Sequence, residues 1–384
     1  MRDATRLVTG GRHHPDEPHL VNPAVHRGST VLFPSLAALE NRGRESRLTY
    51  GRNGTPTTFA LEDAFAELEG ADGCVVAASG KAAIAVALTA LVQAGDHVLV
   101  TDNIYAPSRH YCDRVLKRFG VETTYFPPMI GADIERLMRP ETKLVFTESP
   151  GSQTFEVQDV PAIAAVARRH GVYTLMDNTW ATPLFFRPFD HGVDVSIHAG
   201  TKYVVGHSDA MLGLVTYKGD VGKALDAGVK DLGCPAGPDD CWLALRGLRT
   251  MGVRLRQHQE AALEIARWLE TRPEVTRVLH PALPACPGHA VFQRDFLGSS
   301  GLFGFVMAPC AETALAAMLD PMELFGMGYS WGGYESLLIP TWPHRTAEAW
   351  SDRGQAMRIH VGLEDPDDLI RDLAAGFDRL RDAA

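Results

Sequence analysis

The sequence predicts an α/β protein with a mostly parallel sheet in its larger part and a smaller α+β unit after it. Two observations carry this. Between Thr57 and Tyr217, short apolar runs alternate with helical stretches, and the runs are continuously apolar instead of alternating with polar residues. Strands covered by helices on both faces read that way, whereas half-exposed strands alternate.

Composition narrows the class of protein. The chain has 384 residues and 45% hydrophobic content, enough for a sizeable core without staples. Its formal net charge is -10 and it contains no block of like charges, which argues against a nucleic-acid or anionic-membrane partner. The six cysteines form no C-x-x-C pair, so free thiols in a reducing compartment are expected over disulfides or a metal site. No signal-peptide-like segment opens the sequence, and no run reaches the roughly 18 apolar residues of a membrane span, so a soluble cytoplasmic protein is expected.

Residues 1–50 lack periodicity and are rich in Pro, Gly, His and Arg, which suggests an extended arm with a short helix near Ser35 to Asn41. From Thr57, TTFALEDAFAELEG reads as an amphipathic helix capped by Thr57 or Thr58 and closed by Gly70. There follow CVVAAS, a helix from Lys81, HVLVTD, a helix from Ser108 to Phe119, VETTYF, and KLVFTES. A helix from about Val160 to His170, closed by Gly171, leads to YTLMDN, VDVSIHA and MLGLVTY. Residues 51–240 are therefore expected to form the large unit. A long helix, roughly Asp240 to Thr271, bridges to a unit over 241–384 with a strand GLFGFVMA, a helix from Glu312, Gly-rich GYSWGGYESLL, a strand MRIHVGL and a helix opened by Asp365-Pro366.

Ligands of such sheets sit beyond the carboxyl ends of the strands, which directs attention to Ser79-Gly80-Lys81, Asp102 to Tyr105, Glu148 to Ser152, Asp177-Asn178 and His198 to Lys202. ASGKAA is not a P-loop: Val75 stands where the first Gly belongs, and Ala82 follows Lys81. No G-x-G-x-x-G follows a strand either. What remains is a strand, Ser79-Gly80 and a helix, whose first N–H groups suit one phosphate, although any tight strand-to-helix turn also needs a small residue.

A lysine in a polar turn is ordinarily a solvated charge, but Lys202 has informative company. Pyridoxal 5'-phosphate needs an amine for its aldehyde, a carboxylate at the pyridine nitrogen, an aromatic face and a phosphate cup. Lys202, Asp177, Tyr105 and Gly80 supply one of each at strand ends. Asp177 has a plainer reading as a helix cap or turn former; ending YTLM it is expected to be partly buried, and a buried acid needs a positive partner.

The segments YGRNGTPT, ASGKAAIA, ESPGSQTFEVQDVPAI, MDNTWATPLF, HAGTKYVVGHSDAMLG, LRGLRTMGVRLRQH, GYSWGGYESL and RIHVGLED resemble, in order and over nearly the whole chain, the Cys/Met-metabolism family of pyridoxal phosphate enzymes. SWGG and GTKYVVGHSD look most like its bacterial β-lyase branch, which cleaves cystathionine. The resemblance implies a fold-type I, aspartate-aminotransferase-like architecture and a homotetramer of dimers that share active sites.

It further implies that Lys202 binds the cofactor and acts as base, that Asp177 faces the pyridine nitrogen, and that Tyr105 stacks on the ring and aids proton transfer. Gly80, Lys81 through its backbone, and Thr201 would hold the phosphate. Tyr50 and Arg52 would reach the neighbouring subunit's phosphate, and Tyr50 its substrate. Arg358 would grip the substrate α-carboxylate, with Ser330 and Trp331 beside it. The implied reaction is β-elimination of cystathionine to homocysteine, pyruvate and ammonia. A γ-lyase, γ-synthase or broader cysteine-conjugate lyase shares the cofactor residues; a non-catalytic protein on this fold would be expected to relax Lys202, Asp177 or Arg358. Two departures stand out: Lys81 replaces an uncharged residue, and Ala199 replaces the phosphate-binding Ser of γ-lyase-like members.

Overall fold

The computed structural model of the chain describes residues 1–12, 20–44 and 46–383. The amino-terminal arm is less irregular than expected. Helix α1 (Asp3–Thr9) buries Leu7 against the apolar cluster that also holds Leu248, Met251 and Leu255, and Asp3 accepts from Arg187 at 2.6 Å. With one buried side chain it offers no period to read. Helix α2 (Leu36–Glu40) is the expected short helix, capped by the Ser35 hydroxyl on Ala38 N–H. The parts of the arm at 13–19 and 45 lie outside the described residues.

Helix α3 (Pro56–Glu69) corrects the expected cap: Thr55 is the capping position, Pro56 fills the first turn, and Gly70 closes the helix as read. The Thr57 hydroxyl is committed elsewhere, accepting His26 N–H at 2.8 Å and donating to Ala24 O at 3.0 Å, which pins the arm. Then come β1 (Gly73–Ala77), α4 (Gly80–Leu91), β2 (His97–Thr101) and α5 (Ala106–Tyr111). The turn after α5, Cys112–Leu116, is wound more widely, as a π-helix, so the stretch read as one helix changes its pitch. The large unit continues with β3 (Glu122–Phe126), β4 (Thr142–Glu148), α6 (Val160–Arg169), β5 (Tyr173–Asp177), α7 (Thr182–Phe185), β6 (Val195–His198) and β7 (Gly213–Tyr217).

These strands form one sheet in the order β1-β7-β6-β5-β4-β2-β3. Every pairing from β6 to β3 is parallel; β7 is antiparallel to both its neighbours. The carboxyl ends of β1, β2, β4, β5 and β6 therefore share one edge, as the α/β reading requires. Apolar clusters line the sheet, one with Val86, Leu88, Val100 and Leu175, another with Leu61, Phe65, Leu212 and Leu248. Beneath the sheet the α3 carboxylate of Glu69 accepts from Ser196 at 2.8 Å and from Thr216, and lies 2.8 Å from Nε2 of His198.

Helix α8 (Gly222–Leu232) leads to the long α9 (Pro238–Glu270). A second sheet, ordered β10-β11-β9-β8 and wholly antiparallel, combines β8 (Val275–Leu279), β9 (Leu302–Met307), β10 (Leu337–Thr341) and β11 (Ala356–His360). Helices α10 (His289–Asp295), α11 (Glu312–Leu319) and α12 (Pro366–Asp382) accompany it, and Asp365 caps α12 as expected. β8, α10 and β10 have no counterpart in the sequence reading. Only two of the five residues of β8 are buried, and β10 carries Pro340.

Candidate active site

The strand ends converge as the topology demands. β6 ends at His198, and the chain turns sharply: Lys202 N–H donates to Ala199 O at 3.0 Å and Gly206 N–H to Lys202 O at 2.8 Å. This turn abuts the start of α4. A Cβ on Gly80 would stand 2.5 Å from the Ala199 Cβ, so Gly80 is required by close approach. Ser79 caps α4 by accepting Ala82 N–H at 3.0 Å, leaving the N–H groups of Gly80 and Lys81 without an acceptor among the described residues. A helix start with two free N–H groups suits an anion such as phosphate. The Lys81 side chain is exposed.

At the end of β5, Asp177 is 8% exposed and has no ion-pair partner among the described residues. Its Oδ1 accepts from Thr179 N–H at 3.0 Å and from the Thr179 hydroxyl at 2.5 Å; the same hydroxyl accepts Ala199 N–H at 2.9 Å. Thr179 thus ties the acid to the lysine turn. Glu148 stands beside Asp177 in register on β4, accepting Tyr105 N–H at 2.7 Å and the Ser152 hydroxyl at 2.5 Å. Burial, and then the Asp177 charge, push the Glu148 carboxyl far up. Burial also raises Asp177, opposed by the Thr179 bonds and the charges of His198 and Lys202. Both carboxyls are thus raised, Glu148 the further, and the Thr179 bonds favour the charge on Asp177.

Lys202 faces the small unit. Its Nζ lies 2.6 Å from the Ser330 hydroxyl and 5.3 Å from the centroid of the Trp331 ring. Burial, then the charge of Arg358, lower its pKa to about 8, with Asp177 opposing. Ser330 holds a positive φ of 89°, uncommon for a residue with a side chain. Gly332, at φ 84°, presses on the backbone of Lys202, where a Cβ would lie 2.9 Å from the lysine carbonyl carbon. Arg358 on β11 donates to Ser330 O at 3.1 Å and has no acidic partner among the described residues. A half-buried guanidinium without a carboxylate is fitted to receive one.

Tyr105 lies at the mouth, 44% exposed; burial, then Asp177 and Glu148, raise its hydroxyl's pKa. Beside it the buried Asp102 carboxylate gathers N–H bonds from Thr346 at 2.8 Å and Ala347 at 2.7 Å, with Arg109 in contact. Arg345 reaches Glu156 at 2.6 Å. Both contacts join the small unit to the large one.

The structure thus brings together Lys202, Asp177, Tyr105, Gly80, Ser330, Trp331 and Arg358. The Thr201 hydroxyl is instead bonded to the Leu212 backbone, at 3.1 Å from its N and 3.3 Å from its O. Arg52 donates to Lys230 O at 3.0 Å, and Tyr50 is 43% exposed; neither bonds to the Lys202 cluster among the described residues. Thr179 and Glu148 were not singled out as site residues. Thr179 carries a signal, an Asp followed two residues later by a hydroxyl, as in a side-chain turn; Glu148 stands among the strand-end residues of the sequence reading, but its pairing with Asp177 follows only from the register.

The sequence profile described as Cys/Met metabolism PLP-dependent enzyme matches residues 4–378. The chain belongs to this family. A putative cystathionine beta-lyase of Rhizobium johnstonii is 51% identical over 97% of this chain and 95% of its own length. Cystathionine beta-lyase MetC of Escherichia coli is 46% identical over 98% of each. The crystal structure of a cystathionine gamma synthase from Xanthomonas oryzae, 31% identical, superposes with a TM-score of 0.92 over 100% of both chains. The family's cofactor is pyridoxal phosphate, and the residues present fit it: a buried acid without a cation, an amine of lowered pKa, and a helix start with free N–H groups.

Proposed function

We propose that the protein is a carbon–sulfur lyase that cleaves cystathionine by β-elimination to homocysteine, pyruvate and ammonia. The observation that carries the reading is the Lys202–Ser330–Arg358 group, an amine of lowered pKa beside an unpaired guanidinium, in a chain 46% identical to a cystathionine beta-lyase.

Pyridoxal phosphate, when bound, supplies an aldehyde for an amine and a ring that accepts the electrons of the Cα–H bond. In our reading Lys202 would hold it, Asp177 would keep its ring nitrogen protonated, Tyr105 would cover the ring, and the N–H groups of Gly80 and Lys81 would take the phosphate; Thr201 would join them only by giving up its hydroxyl bond to Leu212 O. Arg358 grips the substrate α-carboxylate in a two-pronged bond, which orients Cα toward Lys202. The Lys202 amine takes the Cα proton, and the Ser330 hydroxyl fixes the direction of Nζ. The proton taken up by Lys202 then goes to the departing sulfur, directly or by way of the Tyr105 hydroxyl, and one water is consumed as the remaining fragment yields pyruvate and ammonia. Trp331 walls the side of Lys202 and keeps water from it.

We also infer a cytoplasmic homotetramer whose dimers share active sites, with Tyr50 and Arg52 serving the neighbouring subunit. Association is supported by Leu20, Leu32 and Leu36 of the arm, which expose 80%, 89% and 70% of their surface, apolar area that a second chain would cover. No helix among the described residues is long and apolar enough to cross a membrane. The test is to incubate the purified protein with cystathionine and identify the keto acid. Pyruvate is expected; 2-oxobutyrate would overturn β-elimination in favour of γ-elimination.

A further inference from the structure

Two residues past Arg358 on the same face of β11 lies His360, which is 1% exposed. Its Nε2 stands 3.1 Å from the N–H of Gly332 and 3.2 Å from the carbonyl of Gly333. An amide N–H only donates, so the ring satisfies Gly332 when Nε2 is bare and the proton sits on Nδ1. The opposite tautomer would give its Nε2 proton to Gly333 O but leave the buried Gly332 amide unpaired, and His360 Nδ1 has no partner among the described residues in either.

The surroundings favour an uncharged ring. His258 packs against it at 5.2 Å between centroids, with its own Nδ1 at 2.8 Å from Val361 O and 3.1 Å from Gly362 O. Tyr203, the residue after Lys202, covers both rings and touches Trp331, at centroid distances of 5.4 to 6.0 Å. Burial, then the charges of His258, Arg358 and Lys202, hold His360 well below the ordinary histidine range.

We propose that His360 is a positioning residue of the reaction: by accepting the Gly332 N–H it holds the Ser330 loop, and so the Ser330 hydroxyl, on Lys202. The inference rests on the assignment of Lys202 and Ser330 as the proton-handling pair. The loop needs an anchor of this kind. Ser330 is held at an unfavourable φ, and the other bond that fixes it, from Arg358 to Ser330 O, comes from the guanidinium that must also receive the substrate carboxylate. His360 does not face that competition. These two positions on one face of β11 thus divide the work, one group gripping substrate and the other keeping the loop in place while it does so.

The test compares His360→Phe, which keeps a ring without an acceptor, with His360→Gln, which offers an acceptor without a ring. In wild-type protein without cofactor, the Gly332 amide is expected to exchange its hydrogen slowly. In His360→Phe it exchanges at least about tenfold faster, and in His360→Gln it returns to within about threefold of wild type. With cofactor and cystathionine, His360→Phe loses roughly ten- to a hundredfold in kcat with KM changed less than about threefold, and His360→Gln recovers most of the loss. If His360→Phe does not fold, His360→Leu replaces it. The proposal is overturned if the wild-type Gly332 amide exchanges at the rate of an unstructured peptide, if the variant without an acceptor keeps slow exchange, or if kcat falls with no change in exchange. Wild-type protein that leaves cystathionine intact would instead defeat the assigned reaction. The pH midpoint of the bound cofactor's absorbance then decides in place of kcat: it is expected to shift in His360→Phe and return in His360→Gln, and an unshifted midpoint overturns the proposal.

Discussion

Nζ of Lys202 and Oγ of Ser330 are 2.6 Å apart, and the serine reaches that position only through a left-handed backbone. A hydroxyl held by an unfavourable conformation beside the reactive amine suggests that its placement is selected for chemistry, since packing alone would tolerate a relaxed loop. Ser330→Ala is expected to lower kcat by roughly tenfold or more while leaving KM for cystathionine within about threefold, because the hydroxyl orients the base and does not grip the substrate. Steady-state kinetics with pyruvate detection checks this; a pure KM effect would contradict the assigned role.

The lowered pKa of Lys202 has a direct consequence for cofactor attachment. Burial disfavours the charged amine, so below about 8 the group is protonated and unreactive, and above it the free amine attacks the aldehyde. The rate of cofactor uptake by the apoprotein should rise with pH around a midpoint near 8. An ordinary lysine would place the midpoint near 10.5. Lys202→Ala should bind the cofactor without covalent attachment and release no pyruvate.

Arg358→Lys keeps a charge but loses the planar fork that a carboxylate accepts. It is expected to raise KM by about tenfold or more and to lower kcat as well, since Cα is then poorly aimed at Lys202. The absorbance of the bound cofactor should change little, because Arg358 is assigned to the substrate.

Stability should fall in mild acid through three buried histidines. Burial is the first cause in each case, lowering His258 to about 4 and His280 to about 3, and holding His360 well below its ordinary range. A group whose folded pKa is depressed is neutral in the native chain while the unfolded chain takes up a proton below about 6.5. The unfolded state then binds more protons, so the contribution is complete above that pH and is lost as pH falls toward the folded pKa. Each histidine contributes a slope of up to about 1.4 kcal/mol per pH unit in this window. His280 Nδ1 accepts Ala282 N–H at 3.2 Å, so His280→Asn keeps an acceptor and should flatten the slope of urea-unfolding stability between about pH 6 and 4 by one proton's worth.

Beneath the sheet, Glu69 is buried with His198, Ser196 and Thr216 around its carboxylate. Glu69→Ala removes the acceptor from all three and is expected to destabilise the chain by about 3–5 kcal/mol, read as a lower urea midpoint. A loss within about 0.5 kcal/mol would show that the network is energetically idle.

The chemistry of the large unit was legible because a parallel sheet gathers its strand ends at one edge. Once the runs ending at Asp177 and His198 are recognised as strands, Asp177 and Lys202 must be neighbours. The direction of β7 was not legible, since a continuously apolar strand looks the same in either orientation. Nor were the roles of Thr179, Glu148 and His360. Glu148 matters through its register with Asp177, and His360 through the fold of a loop some thirty residues earlier in sequence, near Gly332. Such relations exist only after the strands have paired. The small unit was read incompletely for a similar reason: β8 and β10 are short strands whose partners, not their own residues, define them.

The bonds that Asp102 collects from Thr346 and Ala347, and that Arg345 makes to Glu156, stitch the small unit to the large one beside the site. The acids Asp102 and Glu156 are buried although Thr346 and Ala347 are exposed, so opening these bonds would strand buried carboxylates. Arg358 and Lys202 therefore stand at a fixed gauge before any amino acid arrives. Selection works by whether a substrate's carboxylate-to-Cα reach matches that gauge, in the manner of a caliper already locked, and little binding energy is diverted into drawing the two units together.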